Sequence, residues 1–133
     1  IFTGDVTDSV AISWGNIPPQ QNLLINMEFI DQRDGSYVTQ PKIQYVRNWW
    51  KFFSGLRGVS KVEEFTNTQG LKGYKAIYIN YANATPNTDI FFEIPGDSST
   101  MILLANGLLD PVLFDRIVDS VRFESIAPTV AAL

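Results

Sequence analysis

From Val59 to Ala105 the chain reads as one strand after another, punctuated by turn residues, and no other stretch limits the available folds as much. The candidate strands are Val59 to Asn67, Tyr74 to Tyr81, Asp89 to Ile94 and Thr100 to Ala105. Gly70 and Gly73 separate the first two, Asn83-Ala84-Thr85-Pro86-Asn87 the next two, and Asn106-Gly107 closes the last. Short connections between successive strands predict an antiparallel meander. The last strand is apolar on both faces through Met101, Ile102, Leu103 and Leu104, which suits a central position covered on both sides.

Two further strands precede the meander. Val10 to Trp14 alternates in period two until Asn16, Pro18 and Pro19 stop it, and Leu23 to Ile30 is a longer, apolar run that ends at an Asp34-Gly35 turn. Between these strands and the meander, Pro41 opens a helical pattern in which Ile43, Val46, Trp50, Phe53 and Leu56 or Arg57 recur at three- and four-residue steps. The spacing predicts a helix of about four turns that Gly58 terminates. A second helix starts at Asp110-Pro111, an N-cap followed by proline at the first helical position, with Leu113, Phe114, Ile117, Val118 and Val121 as its apolar stripe.

Many strands with only two helices make an α+β fold, an antiparallel sheet with helices on both faces or with one helix against an N-terminal hairpin. With 133 residues, 45% of them hydrophobic, the chain can bury a core without a disulfide or metal staple. No linker or repeat divides it, so 1–133 is expected to form one domain with its core over about 10–123 and a tail from Ser125 that frays. A start at Ile1 suggests a processed or excised piece.

The chemistry the chain can support is narrow. It contains no histidine and no cysteine, which removes imidazole bases, thiolate nucleophiles and nearly all zinc, copper and non-haem iron sites. Nucleophile-elbow, phosphate-loop and dinucleotide-loop motifs are missing, and Gly55 to Lys61 reads as a helix terminator and turn. A net charge of −4 opposes binding to nucleic acid or an anionic membrane. Carboxylates remain, since two of them flanking a cleft suffice for glycoside hydrolysis, and the candidates are Glu28, Glu63, Glu64 and Glu93. Each also reads as an ordinary solvent-facing strand residue, although Glu28 and Glu93 interrupt apolar patterns. Asp31 and Asp34 belong to an aspartate-glycine turn rather than a calcium loop, as do Asp5 and Asp8 to ordinary loop, and Asn83-Ala84-Thr85 matches a glycosylation sequon.

The feature that points most directly to binding is aromatic. Adjacent helical residues lie about 100° apart, so Trp49 and Trp50 cannot both enter one narrow stripe. With Trp50 in the core beside Val46 and Phe53, the residues Tyr45, Trp49 and Phe52 form a second flank, a candidate binding surface. A wide stripe buried against the sheet is the alternative.

The helix from Pro41 to Arg57, the run of antiparallel strands and the closing segment from Phe114 to Phe123, an aromatic-led amphipathic turn running into Ser120-Val121-Arg122-Phe123, give a layout over Val10 to Phe123 that resembles the PsbP/Mog1-like family. The resemblance implies an α/β/α sandwich, a non-enzymatic binding or assembly role, and an exported or lipoprotein-like domain whose anchoring segment has been removed. The missing histidines set this chain apart from any metal role within the PsbP branch. The expectation is therefore a non-catalytic, extracytoplasmic module (periplasmic, cell-surface or thylakoid-lumenal) that needs no cofactor and presents its sheet and aromatic helix to a protein partner. Carriage of a small apolar ligand and carboxylate-dependent hydrolysis are the alternatives.

Overall fold

The computed structural model describes residues 2–4, 9–12, 23–81, 86–106 and 110–123. Trp14, the Asn16 to Pro19 stop, Asp5 and Asp8, the sequon, Gly107 and the tail from Ser125 lie outside the described residues.

Among the described residues seven strands form one antiparallel sheet: β1 (Phe2–Gly4), β2 (Ser9–Ile12), β3 (Leu23–Phe29), β4 (Leu56–Thr66), β5 (Lys72–Asn80), β6 (Pro86–Ile94) and β7 (Asp97–Asn106). Their spatial order is β1-β2-β3-β7-β6-β5-β4. The expected meander is β4 to β7, and β7, apolar on both faces, takes the middle of the sheet. Its pairing with β3, from Leu23 opposite Asn106 to Phe29 opposite Thr100, joins the N-terminal strands to the meander. Pro95 and Gly96 make the β6–β7 turn, with Gly96 at φ 81° as the second central residue, the position at which a type II turn needs positive φ.

Alternation along β6 and β7 divides the core in two. Phe91, Met101 and Leu103 join Tyr74, Ala76 and Tyr78 of β5 in one cluster, with Ile30, Tyr45, Val46 and Trp49. Ile90, Phe92 and Leu104 join Leu23, Leu71, Phe114 and Val118 in the other. Side chains that alternate along a strand point to opposite faces, so the sheet is apolar on both. Gly73 is the floor of the second cluster: a Cβ there would meet Phe65 Cζ and Phe92 Cδ1 at 2.9 Å, within an edge-to-face ring pair.

The helical segments depart from expectation in three places. The Asp34-Gly35 turn is instead α1 (Ile30–Asp34) followed by a 3-10 helix, Gly35–Thr39, whose N-cap Asp34 accepts from Ser36 N at 3.0 Å. The long helix is only α2 (Lys42–Asn48), tightening into a 3-10 turn over Trp49–Phe52. Leu56, Arg57 and Gly58 belong to β4, so Gly58 terminates no helix. Asn48 Nδ2 donates to Gln44 O at 2.8 Å at the end of α2, and the 3-10 turn follows from Trp49. The buried Lys42 ammonium closes the preceding 3-10 helix by donating to the carbonyls of Tyr37, Val38 and Gln40 at 3.2, 2.8 and 3.2 Å.

The third helix, α3 (Pro111–Ser120), begins as expected: Asp110 accepts from Leu113 N at 3.2 Å and Pro111 follows it. Its stripe is narrower than predicted, because Leu113 is 39% exposed while Phe114 and Val118, one turn apart, face the sheet. The C-terminal end is stapled to the β4–β5 turn by Asn67. Its Nδ2 donates to Val118 O at 3.1 Å and Val121 O at 2.7 Å, and its Oδ1 accepts from Gln69 N at 3.1 Å and Leu71 N at 2.9 Å. Thr68 adds bonds to both Asp119 carboxylate oxygens at 2.9 and 2.8 Å. Replacing Asn67 by alanine orphans buried carbonyls and amides together and is expected to destabilise by about 3 kcal/mol. Asn67→Asp is expected to cost as much, because it turns a carboxylate towards two carbonyls. Urea denaturation checks both, and an Asn67→Asp protein as stable as the parent would refute the staple.

Candidate functional site

Two of the three residues singled out by the aromatic pattern, Tyr45 and Trp49, converge on Glu28. In β3 the side chain of Glu28 faces the first cluster, and it is 4% exposed. Tyr45 and Trp49 are four residues apart, on one face of the helical segment, and both reach the same oxygen: Tyr45 Oη donates to Glu28 Oε1 at 2.8 Å and Trp49 Nε1 at 2.9 Å. The short α1 then turns the chain back so that Arg33 Nε approaches Oε1 from the outside at 3.4 Å. Burial, and then the Glu28 charge, push the Tyr45 hydroxyl well above the usual phenol range, which keeps it a donor.

Phe52 follows on the 3-10 turn. Its ring packs at 5.9 Å from Tyr45 and 6.5 Å from Tyr37. The Arg33 guanidinium carbon sits 4.8 Å from the Phe53 ring centre and 5.8 Å from that of Phe52. Together Met27, Phe29, Gln32, Arg33 and Phe52 line an open groove of about 410 Å³.

This corrects the expected aromatic flank. Tyr45 is fully buried and Trp49 is 8% exposed, so neither is available to a partner, whereas Phe52 is half-buried at the groove. Trp49 points inward because Glu28 gives its indole N–H an acceptor, and its ring packs at 5.1 Å from Tyr78 and 5.4 Å from Phe91. Trp50, placed in the core by the helical pattern, is only partly buried, with Lys51 Nζ 5.7 Å over its ring.

The four candidate carboxylates part company. Glu28 is buried in its donor cluster, and Glu63 is exposed beside Lys61 at 3.4 Å. Glu64 and Glu93 share a second groove of about 660 Å³ with Lys42, Lys72 and Tyr74. Lys72 Nζ lies 3.6 Å from Glu64 Oε2 and 3.8 Å from Glu93 Oε2, so those oxygens are at most about 7.4 Å apart. The Tyr74 hydroxyl donates to Glu93 Oε2. Burial holds that hydroxyl above its ordinary value, reinforced by its bond to Glu93.

One buried acid escaped the sequence reading. Asp89 opens the inward phase of β6 and is 8% exposed; burial first, and the Glu28 charge second, push its carboxyl up to about 7. Tyr78, raised by burial and then by the Asp89 charge, donates its hydroxyl to Val46 O at 2.5 Å. Among the described residues no helix is long and apolar enough to cross a membrane. No family model, no curated protein and no solved structure matches the chain.

Proposed function

We propose that this chain is a non-catalytic binding or assembly module, working outside the cytoplasm, that receives a protein partner at the groove of Met27, Phe29, Gln32, Arg33 and Phe52. The observation that carries the reading is the coupling of that groove to a rigid interior. Phe52 and Arg33 meet solvent on one side and rest on the other against Tyr45 and Glu28, whose polar atoms are already bonded to each other. Aromatic and arginine side chains held in place by a packed interior make good contact centres because little freedom is lost on binding. The α2 segment over one core cluster and α3 over the other read as the α/β/α sandwich of the PsbP/Mog1-like resemblance, and that resemblance is also what supports an exported, lipoprotein-like location.

A photo-crosslinking residue at Gln32, compared with one at Ser60 on the exposed part of β4, tests the reading in the source cells. A protein adduct of defined mass is expected from position 32, lost on Phe52→Ala and missing from position 60. Equal adducts from both positions, or none from 32, overturn it.

The hydrolase reading keeps one specific support: Glu64 and Glu93 line the same groove with their Oε2 atoms no more than about 7.4 Å apart, an upper bound that admits the spacing of paired catalytic carboxylates. Hydrolysis of an oligosaccharide panel, abolished by Glu93→Gln, would favour it; no turnover of any substrate would count against it.

A further inference from the structure

The geometry points to the outer edge of β4 as a surface for a second copy of this chain: two β4 strands pair antiparallel about a two-fold axis at Val62, which sets Lys61 of each chain opposite Glu63 of the other. The surface is separate from the groove proposed for a partner, which is built by β3, α1 and the 3-10 turn at Phe52.

Among the described residues β4 is the last strand of the sheet, with β5 on one side and no strand on the other. An edge of this kind offers its outer N–H and C=O groups as a template for another strand. Both register shifts of the β4–β5 ladder fall before Lys61, and from Lys61 opposite Ile77 to Thr66 opposite Lys72 the two strands run one for one. Asn67 N donates to Leu71 O at 3.0 Å in the same register. Hydrogen-bonding direction alternates along an antiparallel strand, so the backbone groups of Lys61, Glu63 and Phe65 turn to β5 and those of Val62, Glu64 and Thr66 turn outwards.

The charges select the register. Two copies of one strand, paired antiparallel, match both faces and backbone directions only when the axis passes through a residue. Centres at Lys61, Glu63 or Glu64 set like charges directly against each other, which is destabilising. Centres before Lys61 fall on the register shifts, and centres at Phe65 or Thr66 carry the partner off the end of β4 into the β4–β5 turn. With the axis at Val62, its outward amide and carbonyl meet those of the second copy in a reciprocal pair of backbone bonds. Lys61 and Glu63 of the second copy then occupy the neighbouring position without backbone bonds, where opposed side chains stand closest. Within one chain Lys61 Nζ is 3.4 Å from Glu63 Oε2, and the side chains are 58% and 53% exposed. Pairing therefore turns two exposed ion pairs into one set of alternating charges. On the other face Val62 meets its own copy and extends the apolar surface it adds to the first core cluster. Edge charges that repel a foreign strand admit this one.

The test is sedimentation equilibrium of the full chain from about 10 µM to about 1 mM at low salt. A pairing along one short edge lies at the weak end of interfaces, so a monomer–dimer equilibrium within that range is expected. Lys61→Glu and Glu63→Lys each set like charges at both cross-strand pairs and should weaken self-association at least about tenfold. An equimolar mixture of the two variants restores both ion pairs and should associate as the parent does. The chain has no cysteine, so oxidation of single variants reads the register: Val62→Cys should give a species of doubled mass, and Glu64→Cys, with its two copies about 14 Å apart, should give none. A parent still monomeric at about 1 mM, a Lys61→Glu protein that associates as the parent does, a mixture no tighter than its components, or equal crosslinking from positions 62 and 64 overturns the inference. A doubled-mass adduct from a photo-crosslinker at Ser60 belongs to this pairing and is told by its mass from the partner adduct expected at position 32.

Discussion

Glu28→Ala should lower the stability of the chain by about 4 kcal/mol, and most of that loss should come from the two donors it abandons rather than from the carboxylate itself. Tyr45 Oη and Trp49 Nε1 both end on Glu28 Oε1, in a region with no exposure at Tyr45 and little at Trp49. A buried hydroxyl or indole N–H without an acceptor forfeits roughly 1–3 kcal/mol each, and the shortened side chain leaves a void against Met101 and its neighbours. The origin of the loss is separable by a double-mutant cycle. Tyr45→Phe in the parent removes one bond, but in the Glu28→Ala background it removes an already orphaned hydroxyl, so the pair should be less damaging than the sum of the singles by about 1–2 kcal/mol. Glu28→Gln, which keeps an acceptor oxygen, should recover part of the loss. Equilibrium denaturation of these five proteins is the measurement; additivity within about 0.5 kcal/mol in the cycle would mean that the carboxylate does not organise the cluster.

How far this site could be read from sequence depends on the range of the contacts. The meander was legible because each strand pairs with the next, and α3 because its N-cap and N1 proline are adjacent in the chain. Tyr45, Trp49 and Phe52 read in the sequence as one outward flank, yet the first two face inward. A phase read from Ile43, Val46, Trp50 and Phe53 assumes α geometry throughout, whereas the turn from Trp49 to Phe52 is 3-10. Tyr45, Val46 and Trp49 share one α-helical face, so a phase anchored on Tyr45 rather than Trp50 turns Trp49 inward, and the 3-10 turn shifts only the residues after it. A signal for Glu28 did exist: a carboxylate interrupting an apolar strand needs buried donors, and a tyrosine and a tryptophan four residues apart supply two. Which strand would meet that helix was not in the sequence. The β3–β7 pairing and the bonds from Asn67 to α3 join distant segments, the latter 51 and 54 residues apart, and local periodicity is silent on both.

Asp89 carries the second large effect, and its sign is opposite to that of most acids. A carboxyl raised to about 7 in the folded chain, against an unfolded value near 3.8, keeps its proton on folding across that interval while the unfolded chain has lost it. Its contribution is therefore fully present below about pH 4 and is lost as pH rises towards 7, at most roughly 4 kcal/mol for a shift of this size. Three exposed aspartates act the other way. Hydrogen bonds from Ser36, Ser99 and Thr68 hold Asp34, Asp97 and Asp119 below their ordinary values, so what they contribute is lost as pH falls through the acid range. The parent should accordingly be most stable in mildly acid solution and weaken between about pH 4 and 7. Asp89→Asn keeps the shape and cannot ionise; it should flatten that decline and be the more stable protein at pH 8, with the acid-side loss unchanged. Urea denaturation at intervals from pH 4 to 8 decides the matter. A parent that gains stability from pH 5 to 7.5, or an Asp89→Asn protein with the parent's slope, would show that Asp89 is ionised in the folded core, and the acid would then need a compensating cation that the first cluster does not place beside it.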